Sequence, residues 1–151
     1  MFEPLNLPPY AFKIKEEAGK YMIYDEVRKK YLVLSPEEWV RQHFVQYLVR
    51  HKNYSMSLIS LEQGMKLNEL QKRTDILIYD TSGSPIMLVE CKASSVKINQ
   101  DVFDQAARYN IKHKVKYLVV SNGLEHFCCK LDYESSSTSF LNDIPSADQI
   151  I

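Results

Sequence analysis

Residues 74–121 constrain the fold more tightly than any other stretch of the chain. Thr74-Asp75-Ile76-Leu77-Ile78-Tyr79-Asp80 is a β-prone run, closed by the turn residues Ser82-Gly83-Ser84-Pro85. Ile86 to Ala93 is a second run, and the turn is short enough for an antiparallel hairpin. Asn99 or Asp101 can then cap a helix reaching about His113, with Val102, Ala106 and Tyr109 on one face. Val115 to Ser121 follows as an apolar, buried-type strand. A strand, a helix and a further strand of one sheet form a crossover, so 86–93 and 115–121 should be parallel. A sheet with both parallel and antiparallel pairs is therefore expected.

The flanking segments extend this frame. Tyr21 to Asp25 and Lys30 to Leu34 read as a hairpin. Ser35-Pro36-Glu37-Glu38 is a helix start: Ser35 can cap, Pro36 suits the first turn, and Glu38 stands three residues after the cap. Val40, Phe44, Tyr47 and Leu48 then mark an apolar stripe to about Lys52. Glu37 falls on that stripe and Glu38 to its side, at ~100° per residue. A carboxylate on a core-facing stripe needs a reason, because an unpaired buried charge is costly. Tyr54 to Leu61 reads as a strand, Glu62 to Lys72 is polar and ambiguous, and Glu125 to Leu131 reads as a closing strand. The expected fold class is α/β, a sandwich with a central mixed sheet flanked by helices.

The chain has 151 residues, enough for one domain that folds without disulfides or a structural metal. We expect that domain over 1–131, with an irregular segment at 1–19, where Pro4, Pro8 and Pro9 forbid an early helix. Residues 132–151 read as an acidic, serine-rich tail, loosely docked or poorly ordered. Lys+Arg and Asp+Glu are both 19, which excludes a strongly basic protein that coats nucleic acid nonspecifically. The acidic tail leaves 19 basic against 15 acidic groups in residues 1–130. No apolar run approaches the ~20 residues of a membrane span. Met1-Phe2-Glu3-Pro4 lacks the marks of a signal peptide, and Cys91, Cys128 and Cys129 are an odd count. Reduced thiols and a cytoplasmic location are expected. Cys128 and Cys129 are adjacent on a strand and should point to opposite faces, and no histidine shows metal-ligand spacing.

Asp75, Glu90 and Lys92 carry the chemistry. Glu90 and Lys92, two apart on a strand, project from one face while Cys91 points the other way. Asp75 sits on the neighbouring strand of the hairpin, within reach of Glu90. Two convergent carboxylates repel unless a cation lies between them. Such oxygen ligands suit Mg²⁺ or Mn²⁺. The simpler reading, an exposed ion pair on a solvated sheet face, would contribute only ~0–1 kcal/mol.

This arrangement resembles the PD-(D/E)XK nuclease superfamily, with Thr74-Asp75 followed by Glu90-Cys91-Lys92 and Thr74 in place of the usual proline. Gln105-Ala106-Ala107-Arg108-Tyr109 looks like the Gln-x-x-x-Tyr motif of RecB-type nucleases. Together with Leu34-Ser35-Pro36-Glu37-Glu38-Trp39-Val40-Arg41-Gln42, Arg73-Thr74-Asp75-Ile76, Val89-Glu90-Cys91-Lys92-Ala93 and Ser121-Asn122-Gly123, these residues are similar to the N-terminal nuclease domain of type I restriction enzyme R (HsdR) subunits. More closely, they resemble small stand-alone bacterial proteins built from that domain. The resemblance spans roughly residues 20–131.

The resemblance implies a Mg²⁺-dependent deoxyribonuclease, with Mn²⁺ as substitute. Asp75, Glu90 and the backbone carbonyl of Cys91 would hold the metal. Lys92 would serve the attacking water. Glu37 would add an acidic group near the metal, with Glu38 as the alternative if the helical phase differs. Gln105 and Tyr109 would support Lys92 and the DNA backbone, and Lys97, Arg108 and Lys112 would contact phosphates. DNA is the expected partner, with restriction-type subunits or a second copy as further ones. No Gly-x-x-x-x-Gly-Lys-Ser/Thr loop occurs in these residues, so no nucleotide cofactor is expected, and the motor that type I restriction needs is not encoded here. The other reading is a catalytically quiet DNA-binding or assembly module that keeps the nuclease fold.

Overall fold

The computed structural model of the chain describes residues 2–63, 74–110 and 113–151, with backbone alone at positions 62, 63, 74, 75 and 109. Three short antiparallel strands come first, β1 (Ile14–Glu17), β2 (Lys20–Asp25) and β3 (Lys30–Val33). Helix α1 (Pro36–His51), a single 3-10 turn at Met56–Leu58 and β4 (Ile59–Gln63) follow. The core unit is β5 (Thr74–Tyr79), β6 (Pro85–Cys91), α2 (Gln100–Asn110) and β7 (Tyr117–Ser121). It is completed by β8 (His126–Asp132), β9 (Ser137–Leu141) and a last turn of helix, α3 (Ala147–Ile150).

The six strands β4 to β9 lie in sequence order in one sheet. Only β6 and β7 pair in parallel, as the crossover requires, and the other neighbours are antiparallel. The strand period of two sorts the core into two layers. Ile76, Ile78, Met87, Val89, Val119 and Cys128 pack with Val40, Phe44 and Leu48 of α1. Leu77, Leu88, Leu118, Val120 and Cys129 pack with Ala106 of α2, and Val102 and Phe103 close over them. The two helices therefore cover opposite faces of the mixed sheet, and Cys128 and Cys129 do point to opposite faces. All three cysteines are reduced and buried. Burial pushes the Cys128 thiol up to about 12 and the Cys129 thiol up to about 11, so both stay protonated.

The expected caps form. Ser35 Oγ accepts from the Glu38 N–H at 3.0 Å, and Asn99 Oδ1 accepts from the Val102 N–H at 3.0 Å. The apolar stripe of α1, however, understates its burial. Arg41, Gln42, His43 and Gln46 are buried as well as Val40, Phe44 and Leu48. The small sheet β1–β3 covers this polar side, joined to it by the ion pair between Arg41 and Asp25 at 3.4 Å. A helix held between two sheets cannot be read from one apolar stripe.

Three further expectations are corrected. Residues 1–19 are not wholly irregular, because Ile14–Glu17 forms β1. All four of its side chains are exposed, so it is held by ladder hydrogen bonds and leaves no alternation to read. The strand placed at 54–61 starts only at Ile59, because the Leu58 N–H turns back to the Ser55 carbonyl. The segment 132–151 is not a loose tail. It supplies the edge strand β9 and buries Ile144 and Ala147. Tyr54 Oη donates to the Pro145 carbonyl at 2.6 Å, Ala147 N–H to the Lys52 carbonyl at 2.8 Å, and Lys52 Nζ to Asp143 at 2.9 Å. Its composition misleads because an exposed edge strand needs few apolar side chains. The stretch from Glu62 to Lys72 lies outside the described residues from position 64 onward.

Asp25 holds the small sheet to the rest. Its Oδ1 accepts from the N–H groups of Val27 and Arg28, and its Oδ2 faces Arg28 Nε and Arg41 Nη2. Burial alone would raise this carboxyl. The Arg28 N–H bond and the charges of Arg41 and Arg28 outweigh it and hold the group below the usual carboxylate range. A folded value below the unfolded one, ~3.9, gives stability that is present above that pH and lost as pH falls through the folded value. Asp25→Asn should therefore lose stability at neutral pH and show a shallower fall in Tm below pH ~4. Melting curves from pH 2 to 7 check this, and parallel profiles for wild type and variant would rule it out.

Candidate functional site

β6 delivers the central pair. Along Pro85–Cys91, Met87, Val89 and Cys91 turn to the α1 side, so Leu88 and Glu90 face the α2 side. Glu90 is only 2% exposed. The backbone then continues its register: the Lys92 N–H donates to the Ser121 carbonyl at 2.8 Å. Lys92 consequently emerges on the same face, and its Nζ lies 3.3 Å from Glu90 Oε1. The Glu90 side chain is buried, while the Lys92 side chain keeps 20% exposure.

The register crosses the sheet at this level. Position 75 lies directly opposite Glu90, Glu90 opposite Val120, and Val120 opposite Phe127. The location has a topological cause. β6 and β7 are parallel, and their carboxyl ends, Cys91 and Ser121, lie side by side. In open α/β sheets this is where the chain leaves for its crossover and a crevice opens. The side chain of Asp75 lies outside the described residues.

The turn after β7 braces this end. Asn122 Oδ1 accepts from the N–H groups of Leu124 and Glu125, and its Nδ2 donates to the Val96 carbonyl at 2.9 Å. The loop leaving Lys92 is thereby tied to the end of β7. Gly123 has φ +85, and a Cβ there would lie 2.9 Å from Leu5 and 3.1 Å from Val40. Only glycine meets both demands. Asn122-Gly123 is a turn pair by residue type alone. The bracing role of Asn122 was hidden because its partner is 26 residues away.

The two candidate glutamates of α1 separate. Glu38 is the more buried, and it is committed to Arg41 and Gln42 within the Asp25 network. Glu37 is half-buried on the stripe with Val40 and Phe44. The first turn of α1 reaches the loop that follows Lys92, because Glu3 receives both the Trp39 Nε1–H through its carbonyl and the Ser94 hydroxyl through its carboxylate.

Gln105 is half-buried on α2, which covers the Glu90 face. Among the described residues the Lys92 ammonium is held by Glu90 and not by Gln105. Lys97 and Arg108 are exposed. Lys112 and the Tyr109 side chain lie outside the described residues. Among the described side chains, no three of His, Cys, Asp and Glu converge as a metal-binding group. Among the described residues, no helix is long and apolar enough to cross a membrane.

Residues 36–145, from the first residue of α1 to the docked segment beyond β9, match the family described as type I restriction enzyme R protein N terminus (HSDR_N). No curated protein matches the chain. Among solved structures, a fragment of an HsdR subunit of a type I restriction enzyme from Vibrio vulnificus YJ016 is similar. Identity is 22% and the TM-score 0.38, over 61% of this chain and 17% of that one.

Proposed function

The chain belongs to the family of type I restriction enzyme R protein N-terminal domains, and from that premise we propose that it is a metal-dependent deoxyribonuclease of the PD-(D/E)XK type. The observation that carries the reading is the level of the sheet where position 75 faces Glu90 and Lys92 Nζ sits 3.3 Å from that carboxylate. The donor set fits a hard divalent cation. The Cys91 thiol is buried on the α1 side, so what Cys91 can offer this face is its carbonyl oxygen. Two carboxylates and a carbonyl are oxygen donors, suited to Mg²⁺ or Mn²⁺ rather than a thiophilic metal.

Asp75, Glu90 and the Cys91 carbonyl would hold the ion; Glu37 stands on α1, which covers the other face of the sheet, and is not among these ligands. When bound, it polarises a phosphate and lowers the pKa of a coordinated water. The protein does the rest. Glu90 fixes the Lys92 ammonium at the mouth of the site. Lys92 orients the attacking water and offsets the negative charge that builds on the phosphate in the transition state. The apolar surroundings of Glu90 keep bulk water from screening that charge. Lys97 and Arg108, exposed on the flanking loop and helix, contact neighbouring phosphates.

The test is cleavage of supercoiled and linear DNA in Mg²⁺ and in Mn²⁺, with Lys92→Ala purified in parallel to expose any contaminating nuclease. Wild type should cut under at least one metal and the variant should not. Binding without cleavage under both metals would overturn the nuclease reading and favour a quiet DNA-binding or assembly module.

A further inference from the structure

Between the start of α2 and strands β8 and β9 lies a concavity of about 470 Å³. Ile98, Asn99, Phe103, Phe127, Phe140 and Leu141 form most of its lining. We propose that it takes an unstacked nucleobase of the DNA strand whose phosphate lies at Glu90 and Lys92. The proposal rests on the nuclease reading and adds to it a pocket that positions the strand.

Position supports this first. Glu90 faces Val120 and Val120 faces Phe127, so Phe127 stands two strands from Glu90 at the same level of the sheet. Two strand spacings are ~10 Å, a distance that one nucleotide can bridge. The pocket wall is also continuous with the site. The loop that leaves Lys92, held to β7 by the Asn122–Val96 bond, runs directly into Ile98 and Asn99.

Chemistry supports it second. The volume falls within the usual ~300–1,000 Å³ of small-ligand sites. None of the lining residues carries a carboxylate, ammonium or guanidinium group, so neither a phosphate nor a metal would find a charged partner there. His126 borders the pocket with its ring turned toward Phe44 of α1 and both ring nitrogens engaged, one with Ser121 Oγ and one with the Asn6 carbonyl. Asn99 spends its side-chain oxygen on the α2 cap, which leaves its amide N–H groups as donors. Aromatic walls with a few neutral polar groups suit a flat, uncharged ring with a hydrogen-bonding edge. A base inside a duplex cannot enter, so the occupant is unpaired or turned out of the stack.

Phe140 supports it third. It lies on the edge strand β9 and is 63% exposed. Phe103 gives it a ring contact, at 5.4 Å between centroids and tilted by 55°. That leaves most of one aromatic surface open at the pocket mouth, where a base can stack on it.

The test uses single-stranded oligonucleotides with 2-aminopurine at successive positions, bound with Ca²⁺ in place of Mg²⁺. Stacking in the pocket should quench the fluorescence at one position. Phe140→Ala should remove that quench and weaken binding roughly 5- to 150-fold, the range expected for one lost base–aromatic stack. Phe140→Trp should restore both. An abasic nucleotide at the same position should bind wild type and Phe140→Ala equally. Phe140 is exposed, so these variants fold, and Phe127→Leu tests a second wall. The proposal is overturned if no position is quenched by wild type, or if Phe140→Ala quenches and binds as wild type does. Quenching that depends on Phe140 in a protein that cuts under neither metal would leave the pocket standing and remove the nuclease. Cleavage with no dependence on Phe140 would do the opposite.

Discussion

Arg41→Met should lower the unfolding free energy by ~3–5 kcal/mol, the usual cost of removing one partner from a buried ion pair. A small domain has only ~5–15 kcal/mol in total. Arg41 is fully buried on α1. It pairs with Glu38 one turn earlier and reaches Asp25 of β2 at 3.4 Å. Methionine fills most of the space but strands two carboxylates. Asp25 keeps Arg28 and two backbone N–H groups, while Glu38 keeps Gln42 at 3.1 Å. The damage should therefore be largest at the Glu38 end and in the docking of β1–β3. Among the described residues, Nε and Nη1 of Arg41 find no hydrogen-bond acceptor, so the native network is itself incompletely satisfied. Neutralising the network together, as Asp25→Asn, Glu38→Gln and Arg41→Met, should thus recover much of the loss. Urea unfolding measures both variants. A single Arg41→Met variant within ~0.5 kcal/mol of wild type would show that the network carries no such role.

The same network marks where the sequence stops being readable. Residues 74–121 announce their fold because local signals agree: alternation, a Gly-Pro turn, an Asn cap and a second apolar strand. Arg41 looks like an ordinary exposed helix residue, since its partner Asp25 is 16 positions away on a strand of another sheet. Glu38 is legible by its place three residues after the Ser35 cap, and that cap forms, yet nothing local shows that its carboxylate is enclosed with Arg41 and Gln42. β1 and β9 carry no sequence signal for a related reason. Edge strands draw on backbone pairing, which leaves no trace in side-chain polarity.

At the candidate site, what the sequence makes legible is what strand geometry alone dictates. A spacing of two places Glu90 and Lys92 on one face and the Cys91 thiol on the other. Strand order puts position 75 across from Glu90. The helical phase that sets Glu37 as the core-facing glutamate is not what the structure shows, because Glu38 is the buried one of the two and Glu37 only half-buried. The brace from Asn122 to the 93–99 loop and the open ring of Phe140 were not legible, because both depend on how distant elements close around the end of the sheet.

Asp75→Asn separates a metal site from a structural ion pair, and on the metal-site reading it should leave the metal-free protein at or above the wild-type Tm. The Asp75 and Glu90 charges would oppose each other across one ladder position with Lys92 as the fixed counter-charge, so removing one relieves repulsion. Wild type should gain from Mn²⁺, because an ion that binds only the folded state adds ~2.7 kcal/mol at a hundred-fold excess over its Kd. For a domain of this size that is a Tm rise of roughly 5–10 °C. Asp75→Asn should lose most of that rise. Lys92→Ala should keep it, since Lys92 is no ligand, yet lose cleavage by ~10²–10³-fold, the range typical of one lost group that stabilises transition-state charge. A structural pair predicts the reverse pattern: Asp75→Asn strands a charge and melts early in EDTA, and no protein responds to Mn²⁺. Melts of the three proteins in EDTA and in Mn²⁺, beside the cleavage assay, decide between the two. A wild type that ignores Mn²⁺ together with a destabilised Asp75→Asn would end the metal-site reading, whatever the DNA-binding result.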